Sequence, residues 1–158
     1  MKQLHTKTSA IVGTGLYVSE SVKKGETIGY INGPIEVVRS FSKKLSVKSM
    51  NWIGVGRYSW INTEHSPYRF INHSCEPNTA IVTKRKVIAV RDIKANSELT
   101  LDYSLNEADP DWSIDCCCKK SSCRKTIGPI YTLPKSVIQK YINHLAPNFK
   151  KIYEVTAK

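Results

Sequence analysis

Cysteine is the residue type in this sequence most suited to metal chemistry. Four of the five cysteines lie within residues 116–123, CCCKKSSC, and the fifth, Cys75, stands alone. A disulfide framework prefers an even number of cysteines and a secreted protein, whereas the first fifteen residues lack the apolar stretch of a signal peptide. Four thiolates can close a tetrahedral zinc site that leaves no position open for catalysis. The sequence therefore favours a structural zinc site, with buried cysteines that bind no metal as the alternative.

Polar residues in apolar surroundings are the candidates for ligand binding. Asn72 and His73 are of this kind, although buried Asn and His side chains commonly do no more than satisfy loop backbone groups. Gly13 and Gly15 form a GxG sequence, which could bring the backbone close to a ligand or only make a tight turn. Each of these signals is weak by itself.

Short strands separated by turns must position these residues. Strands are predicted over residues 16–18, 27–31 and 54–61, and a half-buried strand over 99–103. Residues 80–83 and 87–90 are predicted to pair as a hairpin with KRK at its turn. After Pro134, apolar residues recur at helical spacing up to Leu145, and Pro147 is predicted to end that helix. The polar stretch of residues 40–51 is interpreted as an insert or a short helix.

Residues 69–78, RFINHSCEPN, resemble the central signature of the SET-domain methyltransferases. Other landmarks resemble that family in the same order along the chain: GTGLY at 13–17, KGE at 24–26, YING at 30–33 and ELTLDY at 98–103. The CxCx4C pattern at 116–123, followed by an arginine, is similar to the family's post-SET zinc motif. The resemblance covers residues 9–128.

The resemblance implies a mainly β SET fold. It consists of several short β-sheets, a pseudoknot-like threading of the chain, a post-SET zinc loop and a C-terminal helix. The implied organisation is a SET domain over residues 4–104, a post-SET zinc-binding segment over 105–128 and a C-terminal helical extension over 129–158.

The resemblance also implies an S-adenosylmethionine-dependent protein lysine methyltransferase, with a role for each matching residue. The implied cofactor-binding residues are Gly13, Thr14, Gly15, Leu16, Arg69, Phe70, Asn72, His73 and Tyr103. Tyr103 is implied to be the principal catalytic tyrosine, and Tyr30 is implied to be a second catalytic residue that lines the substrate channel with Ile81 and Leu101. The implied ligands of a structural zinc ion are Cys75, Cys116, Cys118 and Cys123, which leaves Cys117 unused.

Tyr30 and Tyr103 fit what lysine methylation requires, although a strand tyrosine alone is more often a core residue. A lysine has an ordinary pKa near 10.4, so making it neutral at pH 7 costs about 4.6 kcal/mol. A narrow apolar channel and the sulfonium charge both lower that pKa. Catalysis then depends on aiming the amine, which tyrosine hydroxyls can do.

Leu101 departs from the family pattern at an informative position. Family members usually have Phe or Tyr there, and the leucine leaves more room beside the amine. Ile81 replaces an aromatic residue found in some members. Both differences predict di- or trimethylation rather than a single methylation.

The net charge of +11 is high for 158 residues. It predicts either a basic surface that meets nucleic acid or a surface that only keeps the protein in solution. With 41% hydrophobic and 23% charged residues and no long apolar run, the expected protein is soluble and intracellular, cytoplasmic or nuclear and chromatin-associated. The expected partner is a protein with an exposed lysine, for which a histone or another basic DNA-associated protein is one option.

Two other functional classes remain open from the sequence. One is a SET-fold binding module without turnover, which the intact Tyr30, Asn72, His73 and Tyr103 argue against. The other is a zinc-bound nucleic-acid-binding protein, which would leave the RFINHSC and ELTLDY segments without a purpose.

Overall fold

The computed structural model describes residues 1–38 and 51–156. The predicted insert or short helix at residues 40–51 lies outside the described residues, apart from Asn51. No helix of the described part is long and apolar enough to cross a membrane. The described strands are β1 (Leu4–Thr8), β2 (Thr14–Val18), β3 (Thr27–Tyr30), β4 (Ile35–Val37), β5 (Trp52–Gly56), β6 (Ser59–Asn62), β7 (Asn72–His73), β8 (Thr79–Ile81), β9 (Lys86–Ala89), β10 (Ser97–Glu98), β11 (Thr100–Leu101), β12 (Ile114–Asp115) and β13 (Thr126–Ile127).

The strands form several small sheets, as the mainly β fold class predicts. Three sheets of three strands have the orders β1-β2-β10, β3-β9-β8 and β4-β6-β5, and all their pairs are antiparallel. Two further pairs are β7 with β11, which is parallel, and β12 with β13, which is antiparallel. The predicted hairpin of β8 and β9 is confirmed, with residues 82–85 at its turn.

Two apolar clusters stabilise the described part of the chain. The first joins the inner faces of the sheets and includes Leu16, Ile28, Ile31, Leu99 and Leu101, each at most 2% exposed. The second joins the C-terminal extension to Leu105 and Ala108, and it includes the fully buried Phe149. Burial of such side chains is the main favourable contribution to folding.

Two strand predictions are corrected by the structure. Residues 54–61 are not one strand, because Arg57 and Tyr58 form the turn between β5 and β6. Residues 99–103 do not alternate between a buried and an exposed face, because the four residues from Leu99 to Asp102 are all buried. β7, β8 and the C-terminal extension surround that segment, so the pattern expected of a half-buried strand does not apply.

The prediction that Pro147 ends the C-terminal helix is also wrong. The helix α1 (Lys135–Tyr141) continues into a 3-10 turn at Ile142–His144, and Pro147 then begins the helix α2 (Pro147–Thr156). Proline fits the first turn of a helix because its fixed φ suits the helix and its missing N–H has no partner there. A proline after a helix therefore indicates a break, which here separates two helices.

Candidate active site and metal centre

The candidate site is built around the parallel pair of β7 and β11. Asn72 lies opposite Thr100 and His73 lies opposite Leu101, and the Ser74 N–H donates to the Leu101 carbonyl at 2.8 Å. Two segments distant in sequence, FINHSC and ELTLDY, therefore lie side by side. This juxtaposition is the geometric condition on which the predicted site depends.

Tyr103 follows β11 and is held at both ends. Its hydroxyl donates to the Ile71 carbonyl at 2.6 Å, and its backbone N–H donates to Nδ1 of His73 at 3.2 Å. The His73 ring meets the Tyr103 ring edge-on, with 5.3 Å between the centroids. Burial and, secondarily, the charge of Glu98 raise the pKa of Tyr103 well above its ordinary value. The hydroxyl therefore stays protonated at neutral pH and cannot act as a base.

Asn72 connects this junction to the loop that contains the GxG sequence. Its side-chain nitrogen, Nδ2, donates to the carbonyls of Val12 and Thr14 at 3.1 and 3.3 Å and to Oε1 of Glu98 at 2.8 Å. The structure thus brings Asn72 against residues 12–14, as a shared ligand site requires.

The residues of the GTGL sequence have different surroundings. Gly13 has a φ of +54°, a conformation that favours glycine, and a side chain there would meet open space. Thr14 is exposed, whereas Leu16 is fully buried in the first apolar cluster. The Leu16 side chain therefore does not face the site, and any contact with a ligand would have to use its backbone.

Arg69 and Phe70 form the end of a 3-10 turn at Pro67–Phe70. Both are half-buried, with the Arg69 guanidinium 5.3 Å from the centre of the Phe70 ring and donating to the Glu64 carbonyl at 2.8 Å. Phe70 also packs against the first apolar cluster. The turn leads directly into Ile71 and Asn72, so it supports the junction from its N-terminal side.

Tyr30 lies at the surface of the described structure. It is the last residue of β3 and 48% exposed, and within the described part of the chain no hydrogen bond or ring contact joins it to Tyr103. The next residue, Ile31, is fully buried in the first apolar cluster. Successive residues of an extended segment face opposite sides, so Ile31, and not Tyr30, points inward.

The other two predicted channel residues lie together. Ile81 and Leu101, each 2% exposed, line a cavity of about 10 Å³ whose wall also includes Asp102, His144 and Leu145. His144 ends the 3-10 turn at Ile142–His144 and Leu145 follows it, so this part of the C-terminal extension lies against β8 and β11. Sequence reasoning left that extension outside the site.

The thiols of Cys75, Cys116 and Cys118 meet beside the junction. The antiparallel pair of β12 and β13 brings the ends of the CCCKKSSC loop together, and the sulfur atoms of Cys75 and Cys116 are 3.8 Å apart. Sulfur ligands of a tetrahedral zinc ion, each 2.3 Å from the metal, are separated by about the same distance. Cys118 is buried in the same cluster, and the Cys123 thiol is close enough to hydrogen-bond with Cys116 and Cys118. The donor set therefore fits zinc, whereas Cys117 is exposed.

His73 is a fifth candidate ligand, because its Nε2 lies 3.4 Å from the Cys75 sulfur and within one possible metal cluster. The Tyr103 N–H donates to Nδ1, so the proton of a neutral ring is on Nε2. Burial, with a smaller effect of Arg124, lowers the pKa of His73 to about 3, so the ring is neutral. Nε2 then donates an N–H to the sulfur and has no lone pair for a metal. Cys123 lies outside the set of ligand atoms that are within 4.8 Å of one another, and it is the alternative to His73 as a fourth ligand.

The thiols of the cluster differ in acidity, and the thiol of Cys118 alone among Cys75, Cys116 and Cys118 has a lowered pKa. Burial acts to raise the pKa of Cys118, but N–H groups of Cys75 and Lys120 and the neighbouring thiols outweigh it and lower the pKa to about 7. Burial raises the pKa of Cys75 and Cys116. Several buried thiolates are costly without a cation, which a metal ion would supply.

Arg124 fastens the cysteine loop to β11. Its guanidinium donates to Oδ1 of Asp102 at 2.6 Å, and its backbone N–H donates to the Cys75 sulfur at 3.4 Å. The Asp102 side chain is fully buried. Burial raises the pKa of Asp102 and Arg124 opposes that rise. The sequence prediction assigned no role to Asp102 or Glu98, although both lie in ELTLDY, where polar residues alternate with apolar ones.

Replacing Arg124 with leucine should lower the free energy of unfolding by about 3 kcal/mol at pH 7, because it leaves a buried carboxylate without its cation. Urea denaturation measures the loss. It should shrink as the pH falls towards the ordinary pKa of aspartate, where a protonated Asp102 has no charge to compensate. The exposed Lys120→Ala is the matched control, and a loss below about 1 kcal/mol in Arg124→Leu would contradict the role of the ion pair.

Comparison with known proteins finds the same architecture elsewhere. The sequence profile of the SET domain matches residues 13–104, more than half of the 158 residues. The variant-silencing SET domain-containing protein of Plasmodium falciparum (isolate 3D7) is 30% identical over 144 residues, which cover 78% of this chain and 6% of that protein. Human histone-lysine N-methyltransferase 2D is 34% identical over 134 residues, or 74% of this chain and 2% of that protein.

Solved structures agree with the sequence matches. The methyltransferase domain of human histone-lysine N-methyltransferase SETMAR has a TM-score of 0.62 and 19% identity, and the match covers 82% of this chain and 59% of that chain. At this identity the similarity shows the fold alone. The chain spans only a small fraction of the length of the curated relatives it matches.

Proposed function

The chain belongs to the SET domain family, and from this premise we propose that it is a protein-lysine N-methyltransferase. Its methyl donor is S-adenosylmethionine, and its acceptor is the ε-amine of a lysine in a protein. The observation that carries the proposal is the position of Tyr103, fixed between Ile71 and His73 where β7 and β11 meet.

Tyr103 orients the acceptor amine. Its hydroxyl proton is used in the bond to the Ile71 carbonyl, so the oxygen lone pairs are free to accept from an N–H of the amine. A fixed acceptor of this kind lowers the barrier by holding the amine in line for attack. Bound S-adenosylmethionine supplies a methyl group on a positively charged sulfur.

The apolar surroundings keep the amine neutral. Ile81 and Leu101 belong to the apolar cluster against which Tyr103 packs, and a low-dielectric wall disfavours an ammonium ion. The channel therefore lowers the pKa of the substrate lysine, and no dedicated base is needed. Tyr30 remains a predicted channel residue with no contact in its support.

The cofactor contacts are assigned to residues around the junction. Asn72 accepts from the amino group of the donor, and the His73 backbone contacts its adenine. Exposed Thr14 and the backbone of Gly13, Gly15 and Leu16 border the methionine end, with Arg69 and Phe70 beside them. Asn72 suits this role because its side-chain nitrogen already donates to three acceptors, which leaves its amide oxygen to accept from the donor.

A structural zinc ion held by Cys75, Cys116, Cys118 and Cys123 is the second part of the proposal. It would fix the post-SET segment, residues 105–128, beside the SET domain at 4–104. Two hydrogen bonds support this role of the loop, since Lys119 donates to the Ala10 carbonyl at 2.9 Å and Ser122 donates to Glu76 at 2.7 Å.

Incubating the chain with S-adenosylmethionine labelled in its methyl group and a cell lysate tests the function. A labelled protein band is the expected result, and mass spectrometry of that band identifies the modified lysine. Binding of S-adenosylhomocysteine without any labelled product would favour a binding module without turnover. Absence of both, with retained zinc, would favour a zinc-bound nucleic-acid-binding protein.

The proposed substrate is a histone or another basic DNA-associated protein. The name of human histone-lysine N-methyltransferase 2D describes this chemistry in a relative. The +11 charge opposes direct docking of a basic peptide, so a substrate presented on nucleic acid is the arrangement we propose, with activity that falls steeply as salt increases. The proposed place of action is inside the cell, where thiols stay reduced, and at chromatin in a eukaryote.

The wild-type chain should convert its lysine to the di- or trimethyl form, and Leu101→Tyr should shift the main product to monomethyl-lysine. The reason is space, since the tyrosine ring fills the region beside the small cavity and its hydroxyl restricts the amine. Mass spectrometry of the product peptide measures the ratio. Leu101→Met, which nearly conserves volume, should keep the wild-type pattern. A wild-type product that is only monomethylated would contradict this explanation.

A further inference from the structure

Glu98 has more partners at the candidate site than any role assigned so far explains. It ends β10, and its Oε1 accepts from Ser9 Oγ at 2.7 Å and from Asn72 Nδ2 at 2.8 Å. Its Oε2 accepts from the Tyr17 hydroxyl at 3.3 Å. Its own carbonyl accepts from Asn78 Nδ2 at 2.7 Å. One carboxylate therefore joins β2, the GxG loop and β7.

The contacts of Asn72 decide which way its amide faces. Nδ2 is surrounded by three acceptors, two carbonyls and the Glu98 carboxylate. An amide oxygen placed there would face three acceptors with no proton to share, so only the nitrogen fits. Across residues 1–38 and 51–156, no group donates to Oδ1 of Asn72. Oδ1 is thus the atom left to accept from a ligand.

Gly15 provides the space that this arrangement needs. A β-carbon at residue 15 would lie 2.5 Å from Oε1 of Glu98, well inside contact distance. The second glycine of GxG therefore admits the glutamate side chain against the loop, a reason distinct from the close approach of a ligand. The absence of a side chain at Gly15 leaves room for the Glu98 carboxylate, and that carboxylate in turn accepts from Asn72.

We propose that Glu98 is a positioning residue for the amino group of the methyl donor, because it holds the Asn72 amide with Oδ1 free to accept from an ammonium. The inference rests on the proposed function, since it concerns the same cofactor. Without the carboxylate, the two orientations of the amide become closer in energy. The orientation that presents Nδ2 to the ammonium places two donors against each other and loses the contact. The effect of Glu98 on the pKa of Tyr103 agrees with a carboxylate close to the reacting region.

Isothermal titration with two ligands tests this inference. One ligand is S-adenosylhomocysteine, and the other is the same molecule with hydrogen in place of its α-amino group. Glu98→Ala should bind S-adenosylhomocysteine about 10- to 100-fold more weakly than the wild type, the range expected for a hydrogen bond to a charged group. Its affinity for the analogue without the amino group should change by less than about twofold. Glu98→Gln keeps an acceptor for Asn72, so it should restore most of the affinity.

Tyr17→Phe is the matched control, because it removes a partner of Oε2 and leaves Oε1 with Asn72. It should bind both ligands like the wild type. Equal weakening of both ligands in Glu98→Ala would show a general structural role and overturn the inference, as would no weakening of either. A Glu98→Gln variant as weak as Glu98→Ala would also overturn it. A wild-type chain that binds neither ligand would overturn the proposed function itself, and the inference with it.

Discussion

Replacing Tyr103 with phenylalanine should lower turnover by about 100- to 1000-fold, the usual cost of losing one preorganised polar contact at a reacting centre. The affinity for S-adenosylhomocysteine should change by less than about threefold. The phenylalanine keeps the edge-on ring contact with His73 and the backbone N–H donation to Nδ1. Only the hydroxyl is lost, and with it the acceptor that orients the amine.

The measurement must separate catalysis from folding. The Tyr103 hydroxyl also satisfies the carbonyl of Ile71, so its loss should reduce the free energy of unfolding by about 1–3 kcal/mol. Turnover is therefore compared well below the unfolding temperature of the variant, with the methylated lysate protein as substrate. Tyr58→Phe, at a turn residue that is 47% exposed, is the control. Undiminished turnover in Tyr103→Phe would remove Tyr103 from catalysis.

The order of the motifs along the sequence predicts which segments lie together. Which side chains meet depends on the register of each strand, to a single residue. FINHSC and ELTLDY were expected to lie together, and β7 and β11 do pair in parallel. In YING, Ile31 is fully buried and Tyr30 is half exposed, so the channel role of Tyr30 stays a prediction. A shift of one residue in an extended segment reverses the faces. Local patterns contain no signal that fixes this register, because it depends on pairing with β9.

Contacts between distant segments are the part of the site that local patterns miss. The Asn72–Glu98 bond spans 26 residues and the Arg124–Asp102 pair spans 22. Nothing near either acidic residue in the sequence indicates its partner. The C-terminal extension shows the same limit, since helical spacing located α1 but did not predict that His144 and Leu145 would border the cavity beside Leu101. Tertiary packing supplies that information.

Replacing Cys118 with serine should weaken zinc binding by at least ~100-fold and abolish methyl transfer. Cys118 is 4% exposed and is one of the clustered candidate ligands, so a hydroxyl there cannot serve as the thiolate that the metal requires. Without the metal, the Arg124 guanidinium is a cation near the Cys75 and Cys116 thiols, but it is already paired with Asp102. The loop should then lose its hydrogen bonds to Ala10 and Glu76, which join it to the SET domain.

Zinc content measured by mass spectrometry of the folded chain, together with titration of accessible thiols, checks this prediction. The wild type should carry one zinc ion and react at Cys117 alone until a chelator is added. Cys117→Ser is the matched control, since that thiol is exposed and next to two proposed ligands. It should retain both zinc and activity.

Two further variants separate the candidates for the fourth ligand. Cys123→Ser should lose zinc as Cys118→Ser does, because Cys123 is the proposed ligand. His73→Gln should retain zinc, because a ring that donates its N–H to the Cys75 sulfur supplies no lone pair to the metal. The reverse result, with zinc kept in Cys123→Ser and lost in His73→Gln, would replace the four-cysteine site by the cluster of His73, Cys75, Cys116 and Cys118. Zinc bound undiminished in Cys118→Ser would rule out both sites.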